Sequence, residues 1–77
     1  MSVRGEFQRI LGDTAATLRV EGERELAEHL EQTQARAGES LDERARAVLS
    51  EIEAVANPDL RATLEHLNAI CRAILGG

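Results

Sequence analysis

One stretch of the sequence decides the fold: Gly38-Glu39-Ser40-Leu41-Asp42-Glu43. Gly38 suits the left-handed position that ends a helix. Ser40 and Glu43 have the spacing of a capping box, which begins a new helix. The acidic residues of the first turn also suit the positive end of the helix dipole. The stretch therefore predicts a helix on each side of a tight connection.

Upstream of this connection, apolar residues recur every three or four positions, which predicts one helix over residues 3–37. At the standard rise it would be roughly 52 Å long. Gly12 followed by Asp13 marks a place where this helix could break. Gly22 lies on the apolar stripe itself, and its missing side chain predicts that another helix passes close to its backbone.

Downstream, the same periodicity predicts helices over residues 41–56 and 58–75. Asn57 is expected to cap the last helix, with Pro58 at its first position. A connection of about one residue bends a chain more easily than it reverses one. We therefore expect an antiparallel hairpin, in which a bent second arm lies along the first helix. A compact three-helix bundle is the alternative.

The length of 77 residues fits a single all-α domain over residues 1–77. A chain this short buries a small fraction of its surface, and its large apolar side chains are few. Two copies sharing one core would relieve this shortage. The sequence therefore predicts a homodimer with a four-helix arrangement.

Composition excludes several functions. The formal charge is −5 and only 1% of residues are aromatic, so neither a basic footprint nor stacking rings for nucleic acid are present. The sequence has no apolar run of transmembrane length and a single cysteine, which favours a cytoplasmic protein without membrane or disulfide. Abundant Arg without Lys is typical of a GC-rich bacterial genome.

The residues that could carry chemistry do not form a known motif. Cys71 lies on an apolar stripe near a helix C-terminus, where burial is expected and a thiolate is disfavoured. His29 and His66 have no metal-ligand spacing, and both are expected at the edge of a helix interface. We therefore predict no enzyme activity, no metal and no cofactor.

In size and pattern the chain resembles short acidic helical-hairpin proteins, among them secretion co-chaperones. The resemblance involves no motif, so it assigns no residue a role. The interpretation we favour is a non-enzymatic adaptor, chaperone or regulator that presents a helical surface to a protein partner. The candidate surface consists of the apolar residues beside the main stripes: Ile10, Val20, Ile70 and Leu75.

Three alternatives remain open. The first is an acidic inhibitor, such as an antitoxin or anti-activator, that masks a basic protein through Glu21, Glu25 and Glu28. The second is an accessory subunit of an enzyme or secretion complex. The third is a dimer that binds haem or transfers phosphate through histidine.

Overall fold

The computed structural model describes residues 2–76, and all regular secondary structure in that range is helical. This confirms the all-α class. Met1 and Gly77, which complete the predicted domain, lie outside the described residues. The helices are α1 Val3–Val20, α2 Arg24–Arg36, α3 Leu41–Glu53, α4 Pro58–Thr63 and α5 Glu65–Gly76.

The four longer helices pack in a ring, in which α1 and α3 each contact both α2 and α5. Short connections reverse the chain between α1 and α2 and between α2 and α3, so these neighbours are antiparallel. Side chains join matching ends: Arg4 Nη2 donates to the Glu39 carbonyl at 2.8 Å, and Gln8 Nε2 donates to Gln34 Oε1 at 3.2 Å. A single chain thus forms the four-helix arrangement that the sequence predicted for two.

The single helix predicted over residues 3–37 is wrong, because the chain reverses at Gly22. Its φ of +86° is a left-handed conformation that ends α1. The Glu23 N–H closes this end by donating to the Leu18 carbonyl at 2.8 Å. The largest dimension of the molecule is 30 Å, too short for the predicted helix.

The close helix approach predicted at Gly22 is also wrong, since a Cβ built there would meet nothing within 4 Å. Glycine is needed at this position for its backbone angle. The break considered at Gly12-Asp13 does not occur either: α1 continues through Gly12, which is exposed and has open space beside it.

The second arm differs from the predicted hairpin. Helix α3 ends at Glu53 instead of residue 56, and residues 54–57 leave room for the chain to turn. Asn57 caps α4 by accepting the Asp59 N–H at 2.9 Å, and Arg61 Nε donates to the Val55 carbonyl at 2.7 Å. The predicted helix 58–75 is divided into α4 and α5 at Leu64, and α5 folds back along α3.

Ser40 is the N-cap of α3, where the sequence places it, and its Oγ accepts the Glu43 N–H at 3.4 Å. Gly38 has the expected left-handed φ of +89°. Behind these caps lies one apolar core to which every helix except α4 contributes buried residues. Its members are Phe7, Leu11, Ala15, Leu18, Ala27, Leu30, Ala45, Val48, Ile52, Leu64, Leu67 and Cys71.

Candidate functional site

The best-defined concave feature is a groove of about 340 Å³ between α1 and the junction of α4 with α5. We call it the α1–α5 groove. One wall comes from successive turns of α1 and the other from the last residue of α4 and the first turn of α5. Its lining residues are Arg9, Ile10, Asp13, Thr14, Thr17, Thr63 and His66.

Thr14 is the buried polar residue of the described chain, with 5% of its surface exposed. It occupies a core position of α1, seven residues after Phe7 and four before Leu18, both fully buried. No hydrogen bond within residues 2–76 involves its hydroxyl. Since every fully enclosed side-chain oxygen in that range has a partner, the Thr14 oxygen opens on the groove.

The other two hydroxyls of the groove are hydrogen-bonded. Thr17 Oγ1 donates to the Asp13 carbonyl at 3.0 Å, as threonines on helices often do. Thr63 Oγ1 lies 3.0 Å from Glu21 Oε1, which joins α4 to the turn after α1. A hydroxyl buried without any partner costs about 1–3 kcal/mol, but the Thr14 oxygen opens on the groove, where water can reach it, so its cost lies at the low end of that range.

The groove is lined by one ion pair. Arg9 Nη1 lies 3.7 Å from Asp13 Oδ2 on the next turn of α1, and both side chains are exposed. Such a surface pair adds little to stability. The Glu21 carboxylate, which lies 3.0 Å from Thr63 Oγ1, adds a negative charge at the edge of the groove.

The molecule as a whole segregates its charge. Residues 21–53, which include α2 and α3, contain ten acidic residues and four arginines, a net charge of −6. The remainder, which includes α1, α4 and α5, contains four acidic residues and five arginines, a net charge of +1. The groove therefore lies on the charge-poor half of the bundle.

The four predicted surface residues do not form one surface. Ile10 lines the groove, whereas Ile70 and Leu75 are half-buried on α5 and pack against the core. Val20 is 88% exposed at the end of α1. Because α1 and α5 run antiparallel, Val20 and Leu75 lie towards opposite ends of the bundle.

The predicted acidic stripe is interrupted. Glu25 and Glu28 are exposed on α2, but Glu21 belongs to the turn before it and is bound by Thr63. The break at Gly22 removes the helical spacing that would have placed all three on one face. They still belong to the acidic half of the molecule.

The two histidines lie between different pairs of helices. His29 on α2 pairs with Glu51 on α3, with Nε2 and Oε2 2.9 Å apart, whereas His66 lines the α1–α5 groove. Cys71 is fully buried in the core, and this burial raises the pKa of its thiol to about 11. Within residues 2–76, no three His, Cys, Asp or Glu side chains form a group able to hold a metal ion.

Sequence reasoning missed the groove. The helical periodicity of residues 3–37 did not single out Thr14. The available signal was the spacing of residues 7, 11, 14 and 18, which is the pattern of a packed helix with one polar member. Thr63 and His66 could be placed beside Thr14 only once the antiparallel pairing of α1 and α5 was known.

Comparison with protein families, characterised proteins and solved structures gives no match for this chain. In the described part of the chain, no helix combines the length and the hydropathy needed to cross a membrane.

Proposed function

We propose that this protein is a non-enzymatic interaction module, acting as an adaptor, chaperone or regulator that binds a protein partner in the α1–α5 groove. The observation that carries the proposal is Thr14, a buried hydroxyl that opens on the groove without a protein partner. A natural core would gain stability from an apolar residue at this position. Retaining a polar one is typical of a functional surface.

The charge distribution supports the same surface. The groove lies on the half of the bundle with a net charge of +1, where a partner meets little electrostatic repulsion. Ile10 adds an apolar contact inside the groove, and Val20 adds an exposed one on the same helix. A small apolar contact area surrounded by hydrogen-bonding groups is typical of a protein-binding site.

The test uses a variant that fills the groove. Thr17 is exposed and lines the groove, so Thr17→Arg places a long side chain there without disturbing the core. We expect the partner captured by the wild-type protein from lysate of the source organism to be lost with Thr17→Arg. Arg46→Gln, on the exposed surface of α3, serves as the control and should retain it. Equal capture by all three proteins would contradict the proposal.

A second candidate is the acidic inhibitor, and the net charge of −6 on residues 21–53 favours it. In this case the α2–α3 half would mask a basic protein. Affinity should then fall steeply as salt is raised, whereas binding in the groove should change little. The double variant Glu25→Gln and Glu28→Gln should weaken the inhibitor mode and leave the groove mode unchanged.

The homodimer predicted from the sequence belongs to this proposal as well, together with a cytoplasmic location. Val3 and Val20 support the homodimer, since the two side chains remain exposed on α1 at 51% and 88%. A second copy would cover these residues rather than complete the core, which one chain already closes. Sedimentation equilibrium at micromolar concentration should give twice 8.4 kDa. A mass of 8.4 kDa at every concentration would remove the dimer from the account.

A further inference from the structure

The α1–α5 groove has an excess of negative charge. The carboxylates of Glu6, Asp13 and Glu21 lie in or beside it. The guanidinium among its lining residues is that of Arg9, so with His66 neutral these groups carry a net charge of −2. We infer that the groove receives a cationic side chain of the partner, an arginine above all. This inference rests on the proposed function and names the chemical group that the partner contributes.

The excess charge lies towards one end of the groove. Arg9 is at the other end, where its Nη2 lies 3.8 Å from Glu6 Oε1 and its Nη1 lies 3.7 Å from Asp13 Oδ2. Two carboxylates therefore share one guanidinium, at distances too long for a hydrogen bond. Glu21 follows the end of α1, and its carboxylate accepts the Thr63 hydroxyl at 3.0 Å. A second cation is thus best placed between Asp13 and Glu21.

The other arginines of the charge-poor half do not neutralise this position. Arg4 bonds to the connection between α2 and α3, Arg19 to α2, and Arg61 to the connection between α3 and α4. Neither these three nor Arg72 on α5 lines the groove. They produce the net charge of +1 of that half, while the groove itself has the opposite sign.

The groove offers oxygen acceptors to such a cation. The Asp13 carboxylate has no hydrogen bond within residues 2–76, and the Thr63 hydroxyl keeps lone pairs while it donates to Glu21. A guanidinium has five N–H donors in a planar fork, so it can reach acceptors on both walls, whereas an ammonium is a compact point charge. Val20, seven residues after Asp13 and on the same face of α1, is 88% exposed and would contact the aliphatic stem of the arginine.

The test selects peptides on the full chain. A displayed library of random 12-residue peptides is selected on the immobilised wild-type protein. The enriched peptides are synthesised with arginine and with citrulline, which keeps the shape of arginine without its charge. Dissociation constants are measured by calorimetry for the wild type, Arg9→Gln and two double variants. Asp13→Asn with Glu21→Gln removes two charges from the groove. Glu25→Gln with Glu28→Gln is the matched control, because it removes the same charge from exposed positions of α2.

We expect the enriched peptides to share an arginine next to an apolar residue. The Asp13 and Glu21 double variant should weaken them about tenfold, and citrulline should cost as much with the wild type but little with this variant. The matched control should change little, and Arg9→Gln should tighten binding because it removes a competing cation. The Glu21→Gln side chain still offers an oxygen to the Thr63 hydroxyl, so the loss reports charge. A single cation keeps the salt dependence shallow.

Thr17→Arg separates this inference from the proposed function. Peptides that lose affinity for Thr17→Arg but bind the Asp13 and Glu21 double variant as well as the wild type occupy the groove without a cationic anchor. They would overturn this inference and leave the proposed function standing. Peptides that bind Thr17→Arg as well as the wild type and are weakened by the matched control follow the acidic half, and they would contradict both.

Discussion

At the scale of single residues, Gly12 and Gly22 are both exposed glycines, but only Gly22 is needed for its backbone angle. Both are open to solvent, and a Cβ at either position would meet nothing within 4 Å. They differ in backbone angle: Gly12 is helical, whereas Gly22 has a φ of +86°. Their substitutions should therefore have opposite effects.

Gly12→Ala should raise the free energy of unfolding by about 0.5–1 kcal/mol, because alanine loses less conformational entropy in a helix. Gly22→Ala should lower it by about 1 kcal/mol, because an L side chain is strained in the left-handed region. Urea unfolding followed by circular dichroism measures both. If Gly22→Ala is as stabilising as Gly12→Ala, the chain does not reverse at residue 22.

Cys71 is the residue whose ionisation links stability to alkaline pH. Burial raises its pKa to about 11, so the folded protein holds the proton that the unfolded chain releases near pH 9. Its contribution to stability is fully present below the unfolded pKa and is lost as pH rises through the folded pKa. The sequence has no Tyr or Lys, so few other groups titrate in this window.

We therefore expect the free energy of unfolding to decline between about pH 9 and pH 11. In Cys71→Ala the decline should be much smaller, although the variant is less stable at neutral pH because it leaves a cavity. Chemical denaturation at several pH values tests the slope. An equal decline in both proteins would show that Cys71 is not the linked group.

At the scale of the elements, α3 and α4 each begin at a short local capping signal. Ser40, Asn57 and Pro58 could be assigned from sequence because capping depends on neighbours within a few residues. The capping box at Ser40 is only half formed: its Oγ accepts the Glu43 N–H, while no hydrogen bond in the described residues returns from the Glu43 side chain. The cap should therefore be a weak one.

Ser40→Ala should lower the free energy of unfolding by about 1 kcal/mol or somewhat less, since the bond of 3.4 Å is long. Ser50→Ala, on the exposed face of the same helix, is the matched control. It should be neutral or slightly stabilising, because alanine is the better helix former. Thermal unfolding of both variants gives the comparison, and equal midpoints would mean that Ser40 does not cap α3.

Whether a periodic segment forms one helix or two was harder to predict from the sequence. Residues 3–37 have continuous helical periodicity, and Gly22 falls on the apolar stripe, so one helix or two fit the same pattern. Packing decides between them: the turn at Gly22 lets α2 lie back against α1, which buries Ala27 and Leu30 in the shared core. That gain depends on contacts distant in sequence, which periodicity does not report.

At the scale of the whole molecule, ring closure creates both the groove and the charge asymmetry. The pairing of α1 with α5 brings Thr14 beside Thr63 and His66, although about fifty residues separate them. The pairing of α2 with α3 gathers the acidic residues on the opposite half. The composition could be read from the sequence, whereas this arrangement follows from the order of the helices around the core.

The central claim is that the groove retains Thr14 for binding at the expense of stability. The measurement that tests it most directly is the free energy of unfolding of Thr14→Val, with Thr17→Val as control. Valine keeps the shape of threonine and removes the unpartnered hydroxyl, so we predict that Thr14→Val is more stable than the wild type by about 1 kcal/mol. Thr17→Val should change little. A Thr14→Val protein less stable than the wild type by a similar amount would show that the hydroxyl supports the fold, which would contradict the account.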